Sequence, residues 1–68
     1  MKTTDLWFAS YLLLKGFKVT DFDILESRKC KFYFDISNEE WKKLRIDYAD
    51  SEVNKIKQKQ NELKDLIY

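Results

Sequence analysis

Cys30-Lys31-Phe32-Tyr33-Phe34-Asp35-Ile36 alternates apolar and polar side chains at every second residue, the period of a strand buried on one face. Cys30, Phe32, Phe34 and Ile36 then face one way, and Lys31, Tyr33 and Asp35 the other. The preceding stretch, Phe17 to Leu25, alternates with a slip: Phe17 and Val19 share one phase, Phe22 and Ile24 another. A slip of one residue sends half the apolar side chains into water, so the expectation is a β-bulge at Thr20-Asp21. With that bulge the strands pair antiparallel, Ile24 opposite Cys30, Phe22 opposite Phe32, Val19 opposite Phe34 and Phe17 opposite Ile36. Asp23 then falls opposite Lys31, a cross-strand pair of opposite charge. The turn Glu26-Ser27-Arg28 lacks the Gly or Asn of tight hairpins, which predicts a mobile tip.

Helical signals flank this hairpin. Thr3-Thr4-Asp5 offers an N-cap, and Lys15-Gly16 a basic last turn with a residue that accepts the left-handed conformation, so a first helix is expected over 5–15. Its apolar residues lie all round, with Leu6, Ala9 and Leu13 on one stripe and Trp7, Tyr11 and Leu14 on another. Such a helix is either sandwiched or shows a sticky face to a partner. Ser37-Asn38-Glu39-Glu40 is a capping box that opens a second helix carrying Trp41, Leu44 and Tyr48 at i, i+3 and i+7. Beyond it Ile46, Ala49, Val53, Ile56, Gln60, Leu63 and Ile67 are spaced alternately by three and four, a heptad seam. A single helix would turn Trp41 away from Val53 and Ile56, so a break near Asp50 is expected, where Asp50 or Ser51 caps anew. The fold class is α+β: one domain over residues 1–68, ordered α-β-β-α-α, an antiparallel β-hairpin packed against helices.

Composition excludes more than it names. With 68 residues, no His and only Cys30, the chain holds no Cys/His zinc site, disulfide framework or His-based catalytic group. Size scaling gives a folded surface of roughly 4,600 Å² and one thin core. Thirteen Lys and Arg face twelve Asp and Glu, split evenly between the halves, so any basic patch is local. The run Leu6–Leu14, broken by Ser10, is far short of the roughly 20 residues that cross a bilayer. An unpaired cysteine suits a reducing, cytoplasmic compartment. No P-loop, dinucleotide fingerprint or nucleophile elbow is present. No cofactor is expected, and the chain reads as a non-enzyme.

Asp5-Leu6, Ala9, Tyr11-Leu12, Lys15-Gly16-Phe17, Phe32-Tyr33-Phe34-Asp35 and the closing Leu63-Lys64 together resemble a family of small phage and prophage proteins known only as a domain of unknown function. The resemblance runs over nearly the whole chain. It implies a phage or prophage origin, hence a host-cell cytoplasm, and an α-β-β-α-α order, and it carries over no catalytic residue.

Three features are candidates for function. Asp21 and Asp23 share a strand face, as a general acid/base pair or hard-cation site would, but nothing apolar flanks them to raise a carboxylate pKa, and a solvated face salted to Lys31 accounts for them. Basic and aromatic residues mix on the hairpin and the last helix. Arg28, Lys31, Tyr33, Lys55 and Lys59 make a possible nucleic-acid contact, although Phe32 and Phe34 point to the core and leave Tyr33 as the one stacking ring. The seam Val53, Ile56, Gln60, Leu63 and Ile67 is the third, either core or a protein interface. Gln60 at a central a-type position is a register-setting residue of helix pairs, which favours a homodimer. Parallel pairing sets Glu52 against Lys57 but Lys59 against Lys64, so an antiparallel or short crossing contact is expected. The leading expectation is a cytosolic interaction module that binds, blocks or sequesters a host or phage macromolecule, with a host or phage protein as the expected partner. The alternative is a nucleic-acid-binding accessory protein.

Overall fold

The computed structural model describes residues 1–26 and 29–67. Its elements are β1 (Lys2–Thr3), α1 (Leu6–Leu14), β2 (Val19–Ile24), β3 (Cys30–Phe34), α2 (Asn38–Ala49) and α3 (Glu52–Ile67). The class is α+β, and the α-β-β-α-α order stands, with one short strand ahead of it. That strand, β1, pairs antiparallel with β3 through Lys2 opposite Tyr33 and Thr3 opposite Phe32. β3 is thus the centre of a three-stranded sheet ordered β1-β3-β2. The Met1 ammonium donates to the Phe34 carbonyl at 2.9 Å, and the Phe34 amide donates back to the Met1 carbonyl at 2.8 Å.

The hairpin register follows its hydrophobic phase. Ile24 pairs Cys30, Asp23 pairs Lys31, Phe22 pairs Phe32 and Val19 pairs Phe34, with the irregularity between Val19 and Asp21. The ladder stops at Val19 and Phe34, so the expected Phe17–Ile36 pair is not part of it. Asp23 lies opposite Lys31 but takes its hydrogen bond from the Tyr33 hydroxyl at 2.7 Å, which replaces the expected ion pair. The expected turn lies partly outside the described residues, since Ser27 and Arg28 are among those not described. Phe34 and Ile36 are buried, whereas Ile24 at the far end is 80% exposed; the hairpin reaches past the helices that cover its base.

α1 is capped as its ends imply. The Asp5 carboxylate accepts from the Trp7 and Phe8 amides at 3.0 and 3.1 Å. At the other end Gly16, at φ 97°, donates to the Leu13 carbonyl while Phe17 donates to that of Leu12, the paired closure that a left-handed residue permits. The two expected stripes are corrected: Phe8, Ala9, Tyr11 and Leu12 are buried, and Leu6, Leu13 and Leu14 are exposed. With apolar residues on every side, the choice of face was made by the aromatic rings of α2. Phe8 meets Trp41 edge-on at 5.1 Å and Tyr48 at 5.2 Å, and Tyr11 meets Tyr48 at 5.4 Å.

α2 starts at Ser37, whose hydroxyl accepts from the Glu40 amide at 3.2 Å, and it buries Trp41, Leu44 and Tyr48. The helices are two. Ser51 makes the corner: its hydroxyl donates to the Tyr48 carbonyl at 2.7 Å and accepts from the Asn54 amide at 3.2 Å. Asn54 also donates to the Ala49 carbonyl at 3.0 Å. One side chain therefore ends α2 and begins α3, satisfying groups that both helix ends leave open.

Candidate interaction surface

α3 runs back along α1. Near its start Val53 faces Tyr11 and Leu14, and one turn later Lys57 lies 3.8 Å from Asp5, the N-cap of α1. There α1 ends. α1 has 9 residues and α3 has 16, so the remaining ~10 residues of α3 project about 15 Å beyond α1 at 1.5 Å per residue. Every described residue after Lys57 is exposed.

Of the five seam residues, Val53 is half-buried against the core, while Ile56, Gln60, Leu63 and Ile67 are exposed. Leu63 is 61% and Ile67 76% exposed, and Leu66 beside them 83%. At 100° per residue, Lys57 and Lys64 flank the stripe on one side and Lys59 on the other, while Glu62 and Asp65 fall on the opposite face. Lys55 and Lys59 reach Glu52 and Glu62 at 3.4 and 3.3 Å, exposed pairs that hold little energy.

At the root of α3 lies a groove of about 500 Å³, lined by Tyr11, Leu14, Ile46, Val53 and, on its rim, Asp47, Asp50 and Glu52 with Lys15. Leu14 and Ile46 are largely exposed in it. The seam spacing had included Ile46 and Val53 but gave no hint of Leu14, because a groove between three elements has no sequence period.

The hairpin and last-helix basic residues do not converge. Arg28 lies outside the described residues. Tyr33 is half-buried with its hydroxyl engaged by Asp23, which is the first cause of a raised Tyr33 pKa, ahead of desolvation and the Asp21 charge. Lys31 instead joins Lys2, Arg45, Trp41, Thr3 and Thr4 around a second concavity of about 450 Å³. Sequence reading missed Lys2 and Arg45, although Arg45 stands one turn after Trp41. Arg45 lies over the Phe8 ring, 4.6 Å from its centroid. Asp21 accepts from the adjacent Phe22 amide at 2.8 Å, so neither Asp21 nor Asp23 is a free carboxylate in an apolar site. Among the described residues no three His, Cys, Asp or Glu side chains gather as metal ligands, and no helix is long and apolar enough to cross a membrane.

The Tyr48 hydroxyl is buried with no hydrogen-bond partner. Its pKa is raised, first by desolvation and then by the Asp5 charge, against a lowering by Arg45.

No protein-family model, curated protein or solved structure matches the chain.

Proposed function

We propose that the chain is a small non-enzymatic interaction module of phage type, working in the host-cell cytoplasm by binding another protein and blocking, bridging or sequestering it. The observation that carries this reading is the exposed face of α3, which presents Ile56 and, on its projecting half, Leu63, Leu66 and Ile67 to solvent on a helix with no buried residue. Continuous apolar surface of this kind on a small protein marks an interaction site, and an amphipathic helix is read by a groove or another helix at i, i+3, i+4 and i+7 spacing. A second copy of the chain fits that demand as well. The test is cross-linking capture with the wild type beside Ile56→Asp and Leu63→Asp. Both sites are exposed, so the fold and melting temperature should hold while capture is lost. Identical capture by all three proteins would exclude the stripe as the contact.

One observation favours a second reading, a nucleic-acid-binding accessory role: Lys2, Lys31 and Arg45 surround one concavity, and none of them forms a salt bridge among the described residues. Three phosphate contacts would make oligonucleotide affinity fall steeply with salt. A salt-independent or absent signal removes this reading.

A further inference from the structure

We propose that the occupant of the α3 stripe is a second copy of this chain, docked antiparallel about a two-fold axis, so that the projecting end of each α3 lies in the acidic-rimmed groove at the root of the other. This rests on the reading of α3 as the contact face and names its partner.

Three observations meet here. The first is charge. The groove rim carries Asp47, Asp50 and Glu52 against Lys15 alone, while the stripe on the projecting end is flanked by Lys57, Lys59 and Lys64. Lys57 is held by Asp5 and Lys59 by Glu62, which leaves Lys64 for the rim. Acid at one end of an apolar track and base at the other make the surface complementary to itself reversed. That is the requirement of an isologous contact, where residue i meets j and j meets i. Parallel pairing opposes Lys59 to Lys64, whereas the reversed arrangement sets Lys64 against the acidic rim.

The second is continuity. Val53 in the groove, Ile56 after it, and Leu63 and Ile67 on the projection belong to one heptad track of α3, with Gln60 between, and Ile46 of α2 adjoins its start across the groove. In an antiparallel pair the a and d positions of one helix meet d and a of the other, so Val53 meets Leu63 and Ile56 meets Gln60. Lys64 then stands beside Asp50 at each end of the contact, while Lys59 falls near its own symmetry mate at the centre, where its pairing with Glu62 at 3.3 Å offsets the charge.

The third is area. The chain exposes 5597 Å², against roughly 4,600 Å² for a folded monomer of its mass. Its radius of gyration is 13.2 Å, against about 11 Å for a compact chain of this length. The excess of about 1,000 Å² is close to the ~800 Å² that each partner gives up in a stable interface.

Charge reversal in two chains tests this. The first variant carries Asp50→Lys with Glu52→Lys; the second carries Lys59→Glu with Lys64→Glu. All four sites are exposed, and circular dichroism checks that each variant stays helical. In sedimentation velocity across a concentration series the wild type should shift from monomer to dimer. Each variant alone should need about tenfold more protein to do so, because its groove and projection now carry the same sign. An equimolar mixture should dimerise like the wild type, since each variant's groove then suits the other's helix. A wild type that stays monomeric at every concentration overturns the proposal, while capture of a different protein through Ile56 and Leu63 would still support the broader reading. A wild type that dimerises with no effect of reversal, or with no rescue on mixing, overturns the antiparallel seating and leaves self-association standing.

Discussion

α2 and α3 are consecutive helices of similar polarity, and their fates differ. α2 has an irregular apolar pattern yet buries Trp41, Leu44 and Tyr48, whereas α3 has the more regular stripe and covers only Val53, in part. Periodicity decides which face of a helix is apolar; the length and placement of neighbours decide whether that face is covered. α2 lies across the aromatic face of α1, and α3 outruns α1 at Lys57.

The largest expected effect lies on the α2 side. Phe8 is 0% exposed and touches Tyr11, Trp41 and Tyr48, so Phe8→Ala should cost about 3–5 kcal/mol through lost burial and a cavity. In a domain this small that loss removes most of the stability. Urea denaturation checks it, and a loss below about 1 kcal/mol would mean that the aromatic cluster is not what holds α1 to α2.

The corner comes next. Ser51→Ala removes the acceptor of the Asn54 amide and the donor to the Tyr48 carbonyl together, and should cost about 1 kcal/mol. Ser37→Ala, which removes one such bond, is the comparison: equal losses would mean that the bond back to Tyr48 adds nothing.

How much of this was legible follows from range. The bulge at Thr20-Asp21 and the pairs Phe22–Phe32 and Ile24–Cys30 could be read because strand alternation fixes register wherever one face is apolar. The break at Asp50-Ser51 could be read because capping is local chemistry. β1 could not, since Lys2-Thr3 is two residues with no alternation. Nor could the buried face of α1, where Leu6 and Leu13 looked as suitable as Phe8 and Leu12 until the rings of α2 selected among them. The stripe of α3 was legible as a pattern. The groove that joins Leu14 to Ile46, and the concavity that joins Lys2 to Arg45, bring together residues 32 and 43 positions apart, and no local rule reaches that far.

A smaller effect, of opposite sign, belongs to Tyr48. Its hydroxyl is buried without a partner, so Tyr48→Phe should stabilise the fold by roughly 0.5–1 kcal/mol, because an unmet polar group costs more than its absence. The same site sets a pH limit. Desolvation raises the Tyr48 pKa above its ordinary 10.0, so the folded state holds this proton more tightly than the unfolded one. Stability from this group is complete below pH 10 and is lost as pH climbs toward the folded value. Tyr33 shifts the same way, so the alkaline loss should shrink in Tyr48→Phe and persist in part. Thermal melts from pH 8 to 11 decide this, and an unchanged alkaline slope in the variant would assign the effect elsewhere.

The smallest effect is the one that sharpens the comparison most. Leu63 has the chemistry of a core residue and the heptad position of one, and by pattern alone its truncation would cost about 2–5 kcal/mol. The structure places it 61% exposed on the projecting half of α3, where the monomer gives up almost no burial when the side chain goes. Leu63→Ala should therefore change the stability of the dilute monomer by less than about 0.5 kcal/mol, with the helix propensity of Ala offsetting the small area that is uncovered. Measured at increasing protein concentration, the same substitution should become costly, because each chain that pairs now forgoes apolar burial at the interface. A cost that grows with concentration identifies a surface whose packing partner is another molecule. A cost of several kcal/mol already present at high dilution would show that α3 folds back on its own chain, and that the contrast with α2 does not hold.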